Sequence, residues 1–174
     1  MPTGRTPLTC LAVVLAALAW AAGAAAGIPR HMVFPVVGKV TYTNDWGDPR
    51  PGGWHEGNDL MGKRWQYAVA PEPGRVEKRK SVFGSYSSCY LVFHGKSGTD
   101  YWYIHLNNDR PGNPPNDNQG GCRNGISWPS GLRQGQWVRA GQIVGFVGDS
   151  GDANGIQPHL HFEVHPNGGG PVNP

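Results

Sequence analysis

The chain has 174 residues, 27 of them Gly and 16 Pro, and a formal net charge of +3. That length suffices for one domain with a buried core, and so small a charge argues for no nucleic-acid partner, only for loose attraction to an anionic surface. Gly and Pro at about a quarter of the chain border on disordered composition, but seven Trp, six Tyr and five Phe argue instead for a turn-rich, all-β domain.

The N-terminus reads as a targeting segment. Arg5 is the early charge, Leu8 to Trp20 form an apolar run, and Ala24-Ala25-Ala26 supplies a small-residue cleavage site. Residues 1–26 are thus expected to be a signal peptide, with the mature chain starting near Gly27 or Ile28; the rival reading is an uncleaved anchor. Cys10 leaves with that segment. Cys89 and Cys122 remain, and two cysteines in an exported chain suit a disulfide contributing roughly 3–4 kcal/mol by loop closure.

Met32 to Val40 is β-prone but interrupted by Pro35 and Gly38, giving an edge strand or two short pieces. Asn44 to Gly57 reads as a loop. Tyr67 to Lys80 predicts two short strands around a Pro-Gly turn, with Arg75, Lys78, Arg79 and Lys80 as a solvated basic strand end. From Ser88 to His94, Tyr90, Val92 and His94 alternate with Leu91 and Phe93. A turn at Gly95 to Gly98 then leads into a return strand, Asp100 to Leu106. Strict alternation there puts Tyr101, Tyr103 and His105 on one face and Trp102, Ile104 and Leu106 on the other. Asn107 to Leu132 is a long loop, of the length that binds ligands or is disordered. A Cys89–Cys122 bridge would pin it to the sheet. Trp137 to Val147 predicts two short strands, Gly148 to Gln157 a loop, and the residues after His165 a frayed Gly- and Pro-rich tail (167–174).

The most informative stretch is Pro158-His159-Leu160-His161-Phe162-Glu163-Val164-His165. As a strand it sends Leu160, Phe162 and Val164 to a core and gathers His159, His161, Glu163 and His165 on the opposite face. Three of seven histidines alternating on one strand face mark His159 and His161 as a metal or catalytic pair. His55-Glu56-Gly57-Asn58-Asp59 is the natural complement, an imidazole and a carboxylate four residues apart with Gly57 letting the backbone bend. His105, beside two tyrosines, is a further candidate.

Together, His55-x3-Asp59, Tyr103-Ile104-His105-Leu106 and His159-Leu160-His161-Phe162-Glu163-Val164 resemble the lysostaphin/LytM-type zinc peptidases, peptidase family M23. Val69-Ala70-Pro71 and Gly141-Gln142-Ile143-Val144-Gly145-Phe146-Val147-Gly148 are similar to the family's segments too, so the resemblance runs from about His31 to Val164. It implies an all-β fold, an antiparallel β-sheet groove of the duplicated hybrid motif type with long loops, spanning residues 28–166. It implies one zinc ion held by His55, Asp59 and His161, and His105 and His159 as a catalytic pair close to the metal. Glu163 is expected beside the ligands or solvated, His165 at the edge, and Tyr101 and Tyr103 lining the groove or packing in the core.

The implied activity is that of a secreted zinc endopeptidase acting on peptidoglycan peptides in the cell wall. Neither nucleic acid nor, after signal cleavage, a membrane is expected as a stable partner, and the chain is expected to be a monomer. The alternative is an inactive domain of the same fold that binds wall or activates another hydrolase. Two features depart from the family's commonest pattern: residues 107–132 look like an insertion, and Gly155-Ile156-Gln157 replaces the usual Thr-Gly. Both bear on specificity.

Overall fold

The computed structural model describes residue 1 and residues 31–83, 86–112 and 116–174; residues 2–26 of the expected signal peptide lie outside them. Ten strands follow in chain order: β1 Pro49–Arg50, β2 Gly53–Trp54, β3 Asn58–Met61, β4 Tyr67–Val69, β5 Gly74–Phe83, β6 Tyr86–Gly95, β7 Thr99–Ile104, β8 Trp137–Val138, β9 Ile143–Phe146 and β10 His159–Pro166. A single 3-10 turn at Gly151–Ala153 is the only helical element among the described residues. The architecture is all-β, as the turn-rich composition requires.

Six strands form one antiparallel sheet in the order β3-β10-β7-β6-β5-β8, and β4-β9 and β1-β2 form two small ones. The inner face of the large sheet carries Leu91 and Phe93 from β6, Tyr101 and Tyr103 from β7, and Leu160, Phe162 and Val164 from β10, all essentially inaccessible. They pack with Ala68 of β4 and Val144 of β9, plus Leu106, Trp128 and Val147. Phe162 lies against both tyrosines, stacked on Tyr101 at 5.8 Å and edge-on to Tyr103 at 5.2 Å. This layer is the hydrophobic anchor for everything on the other face.

Tyr101 and Tyr103 therefore belong to the core and do not line a groove. Each hydroxyl is satisfied inside the protein, Tyr101 donating to Glu72 at 2.8 Å and Tyr103 to the Val69 carbonyl at 2.8 Å, so neither ring needs solvent. The strand carrying them stops at Ile104. His105 adopts a φ of +61°, which breaks the two-residue alternation: Leu106 turns into the core and is fully buried, while His105 leaves the tyrosine face.

Three further segments differ from expectation. Residues 32–40 form a single bridge rather than a strand, with Val36 facing Ala68. The loop 44–57 contains the hairpin β1-β2, closed by Pro51-Gly52, where the φ of +93° at Gly52 suits the third residue of a type II turn. The tail is not frayed: Val172 pairs with Val164, and the Gly169 carbonyl accepts a hydrogen bond from His165 at 2.8 Å.

The long loop is tied down. Cys89, on β6, is bonded to Cys122 across 33 residues. Arg64 bridges the buried carboxylates of Asp109 and Asp149 at 2.5 and 2.7 Å, linking the loop to the segment ahead of the 3-10 turn. The basic residues of β5 are also engaged. Arg75 lies over Trp137, and Lys78 donates to Asn124 and to the Leu132 carbonyl.

Candidate metal centre

Antiparallel pairing of β3 with β10 sets His161 directly opposite Asp59, while on its other side His161 faces Ile104 of β7. Partners across an antiparallel pair bring their side chains within reach of one another. His55 arrives from the loop before β3. That loop passes so close to β10 that a Cβ at Gly57 would lie 2.4 Å from the Phe162 carbonyl oxygen. Gly57 is thus needed for close approach, and its φ is not in the left-handed region.

Three donor atoms converge. His55 Nε2 is 2.8 Å from His161 Nδ1 and 3.1 Å from Asp59 Oδ1, and His161 Nδ1 is 3.0 Å from that oxygen. The opposite side of each ring is committed. His55 Nδ1–H donates to the Asp45 carbonyl at 2.9 Å, and His161 Nε2–H donates to Glu163 Oε1 at 2.9 Å. Lone pairs of two imidazoles and a carboxylate oxygen therefore face one another, an arrangement that needs a positive charge between them. Burial disfavours the charged His161 ring, but the Asp59 and Glu163 carboxylates raise it to about 9. Burial likewise opposes ionisation of Asp59, yet the hydrogen bond from His161 and the nearby His159 and His55 rings hold its carboxyl well below the usual range. A dication suits the same triangle, replacing the proton on His161. Two imidazoles and one carboxylate form a donor set that zinc takes.

The ligand strand is braced from behind. Glu163 and His165 are both more than nine-tenths buried. Glu163 Oε2 accepts a 2.6 Å hydrogen bond from His165, and the His165 ring stacks on Trp102 at 5.2 Å. His165 is accordingly an interior residue and does not sit at the edge.

Two more imidazoles flank the triangle. His105 and His159 lie with ring centroids 4.9 Å apart, and His105 is 6.0 Å from the His161 ring. Both have Nδ1 occupied: His105 donates to the Ser150 carbonyl at 2.9 Å and His159 to the Gln157 carbonyl at 2.8 Å. Their Nε2 atoms therefore present lone pairs, that of His159 lying 3.7 Å from Asp59 Oδ1. Burial first, and then the His159 ring, push the His105 imidazole down to about 4. At neutral pH it is an uncharged acceptor.

Around these groups runs a groove of about 820 Å³, lined also by Arg50 and Trp54 from the β1-β2 hairpin and by Asp152 and Ile156. No single residue pattern in the sequence marked Asp45, Arg50 or Ser150. Asp45 and Ser150 act through backbone carbonyls, and Arg50 from a two-residue strand in a turn-rich segment, where residue type carries little signal. Of the seven histidines, His55, His105, His159, His161 and His165 gather here, whereas His94 of β6 pairs with Asp100 of β7 and Glu77 of β5.

Comparison with known proteins converges on one group. The model of "Peptidase family M23" matches residues 126–174. A curated relative, the L-Ala--D-Glu endopeptidase of Bacillus subtilis (strain 168), is 26% identical over 144 residues, covering 78% of this chain; the chain spans 37% of that relative's length. Among solved structures, a zinc-containing peptidase from Vibrio cholerae is 25% identical with a TM-score of 0.54, covering 80% of this chain and 37% of its own. A mutant catalytic domain of the prophage-encoded M23 protein EnpA from Enterococcus faecalis shares the fold at 24% identity and a TM-score of 0.53, covering 77% of this chain and 88% of that domain.

Proposed function

We propose that this chain, similar to the family M23 peptidases, is an exported, zinc-dependent endopeptidase that hydrolyses peptide bonds of bacterial peptidoglycan. Residues 28–166 form the peptidase domain, and residues 1–26 are the signal peptide removed on export. The observation that carries this reading is the convergence of His55, Asp59 and His161 donors within 3.1 Å, next to two imidazoles with unspent lone pairs and open to a groove.

In this reading His55 Nε2, Asp59 Oδ1 and His161 Nδ1 hold one zinc ion. When bound, zinc supplies Lewis acidity, which acidifies water and polarises a carbonyl. The chain's own residues do the rest. His105, uncharged at neutral pH and fixed by Ser150, can accept a proton at Nε2 as a general base. His159, fixed by Gln157, faces the same space and, once its Nε2 has taken up a proton, can donate a hydrogen bond to developing negative charge or pass that proton to a leaving amine. The Asp45 carbonyl and Glu163 keep His55 and His161 in the tautomers that ligation requires. Trp54 and Ile156 offer apolar walls to a peptide lying along the groove.

An inactive wall-binding domain would not need three intact donors with His105 and His159 beside them. The decisive test is incubation of the purified protein with peptidoglycan, followed by mass spectrometry of the released fragments. Hydrolysis should stop with a chelator and return with zinc. Zinc uptake without any released peptide would reject the peptidase reading, and undiminished hydrolysis in chelator would reject the metal.

A further inference from the structure

Resting on the peptidase reading, we infer that Arg50 is a specificity residue that binds a free carboxylate of the substrate peptide close to the scissile bond, so that the preferred substrate is an acidic stem peptide rather than a glycine bridge.

Arg50 is the one Arg or Lys among the described residues lining the groove. It ends β1, and its guanidinium reaches back to the metal-ligand cluster. Nη2 lies 3.3 Å from Asp59 Oδ2 and 3.6 Å from Asp45 Oδ2. Asp59 Oδ1, on the same carboxylate, faces His55 and His161, so the cation sits one carboxyl group away from the reacting centre. A substrate group bound at Arg50 is therefore held next to the cluster of His55, Asp59 and His161. The side chain keeps 43% of its surface exposed, and both carboxylates lie against Nη2, so the remaining guanidinium N–H groups are left to donate to a further carboxylate from the groove side.

The remaining charges sharpen the choice. The other solvent-exposed charged groups lining the groove are acidic: Glu56 next to His55, and Asp152 with its Oδ1 3.7 Å from His105 Nδ1. An anion entering the groove is repelled at those two points and attracted at Arg50. A stem peptide has free carboxylates on its backbone, whereas a glycine bridge has none. A uniform glycine segment offers no charged group to the guanidinium N–H groups that Asp59 and Asp45 leave free.

The test uses matched synthetic stem pentapeptides, L-Ala-γ-D-Glu-diaminoacid-D-Ala-D-Ala, with each free carboxylate singly converted to the carboxamide, alongside pentaglycine capped as its N-acetyl, C-terminal amide. The zinc-loaded wild type should cleave the free acid with a kcat/KM about 10- to 100-fold above one of its amides, the range expected for losing a charge-assisted hydrogen-bonded pair. In Arg50→Gln, assayed with excess zinc, that acid-to-amide ratio should collapse towards one; Arg50→Lys should keep a reduced preference. Equal cleavage of acid and amides by the wild type, or pentaglycine as the better substrate, overturns this inference and leaves the peptidase reading standing. The same holds if both rates fall together in Arg50→Gln with the ratio unchanged, since Arg50 would then serve only Asp59. Failure to cut any wall peptide overturns both.

Discussion

His161 and Glu163, two residues apart on β10, are joined by a 2.9 Å hydrogen bond from Nε2 to Oε1, which commits the His161 ring to present Nδ1 to Asp59 and His55. The pairing is possible because alternate residues of a strand share a face. Its other oxygen is held by His165.

Glu163→Gln should therefore weaken zinc binding about 10- to 100-fold, as loss of such a partner typically does, with the fold retained. Competition against a chromophoric chelator measures this directly. Unchanged zinc affinity would mean that Glu163 merely fills space behind the ligand.

His105 and His159 should separate from the ligands by their effects. His105→Ala is expected to bind zinc at full stoichiometry and lose about 10²- to 10⁴-fold in kcat, whereas His161→Ala should lose zinc itself. Metal content and turnover measured on the same preparations decide the matter. A His105→Ala enzyme with wild-type turnover would remove the general base from the mechanism.

The disulfide should matter to stability and to His105 together. Cys89 N–H donates to Ser150 Oγ at 3.0 Å, and the Cys89 carbonyl accepts from Leu106 N–H at 2.9 Å. Ser150 in turn holds His105. Replacing both cysteines by serine should cost roughly 3–4 kcal/mol from the denatured-state loop alone, read as a lower urea midpoint. Part of the turnover should be lost even where the protein stays folded. Wild-type kcat in the folded variant would show that the brace is redundant.

His94 should make stability pH-dependent in a defined direction. Burial lowers its pKa, but hydrogen bonds to Asp100 at 2.8 Å and Glu77 at 3.0 Å outweigh that and raise it. The folded state thus holds the proton more tightly than the unfolded one. The resulting stabilisation is complete below the unfolded value of about 6.5 and disappears as pH rises through the folded value. Solvent screening keeps it below about 1 kcal/mol. The gap in urea midpoint between wild type and His94→Gln should be measurable near about pH 5 and should close above the folded pKa; an equal gap at both ends would contradict the ion-pair origin.

The amino-acid sequence by itself determined what depends on local periodicity and residue chemistry. The alternation from His159 to His165 placed Leu160, Phe162 and Val164 inward and the polar groups outward, since a strand has a fixed two-residue repeat. The same rule failed at His105. Extrapolated from Tyr101 and Tyr103, it assigned His105 to the tyrosine face, which is the core. Only the tertiary structure decided otherwise. A φ of +61° at His105, costly for a residue with a Cβ, is held by the Leu106 hydrogen bond to Cys89 and by the ring's bond to Ser150. Those partners lie 16 and 45 residues away in the chain, and no local pattern encodes them. For the same reason Arg50 and Asp45 were silent in the sequence. What they do follows from strand register and loop closure, which are fixed by packing over the whole sheet.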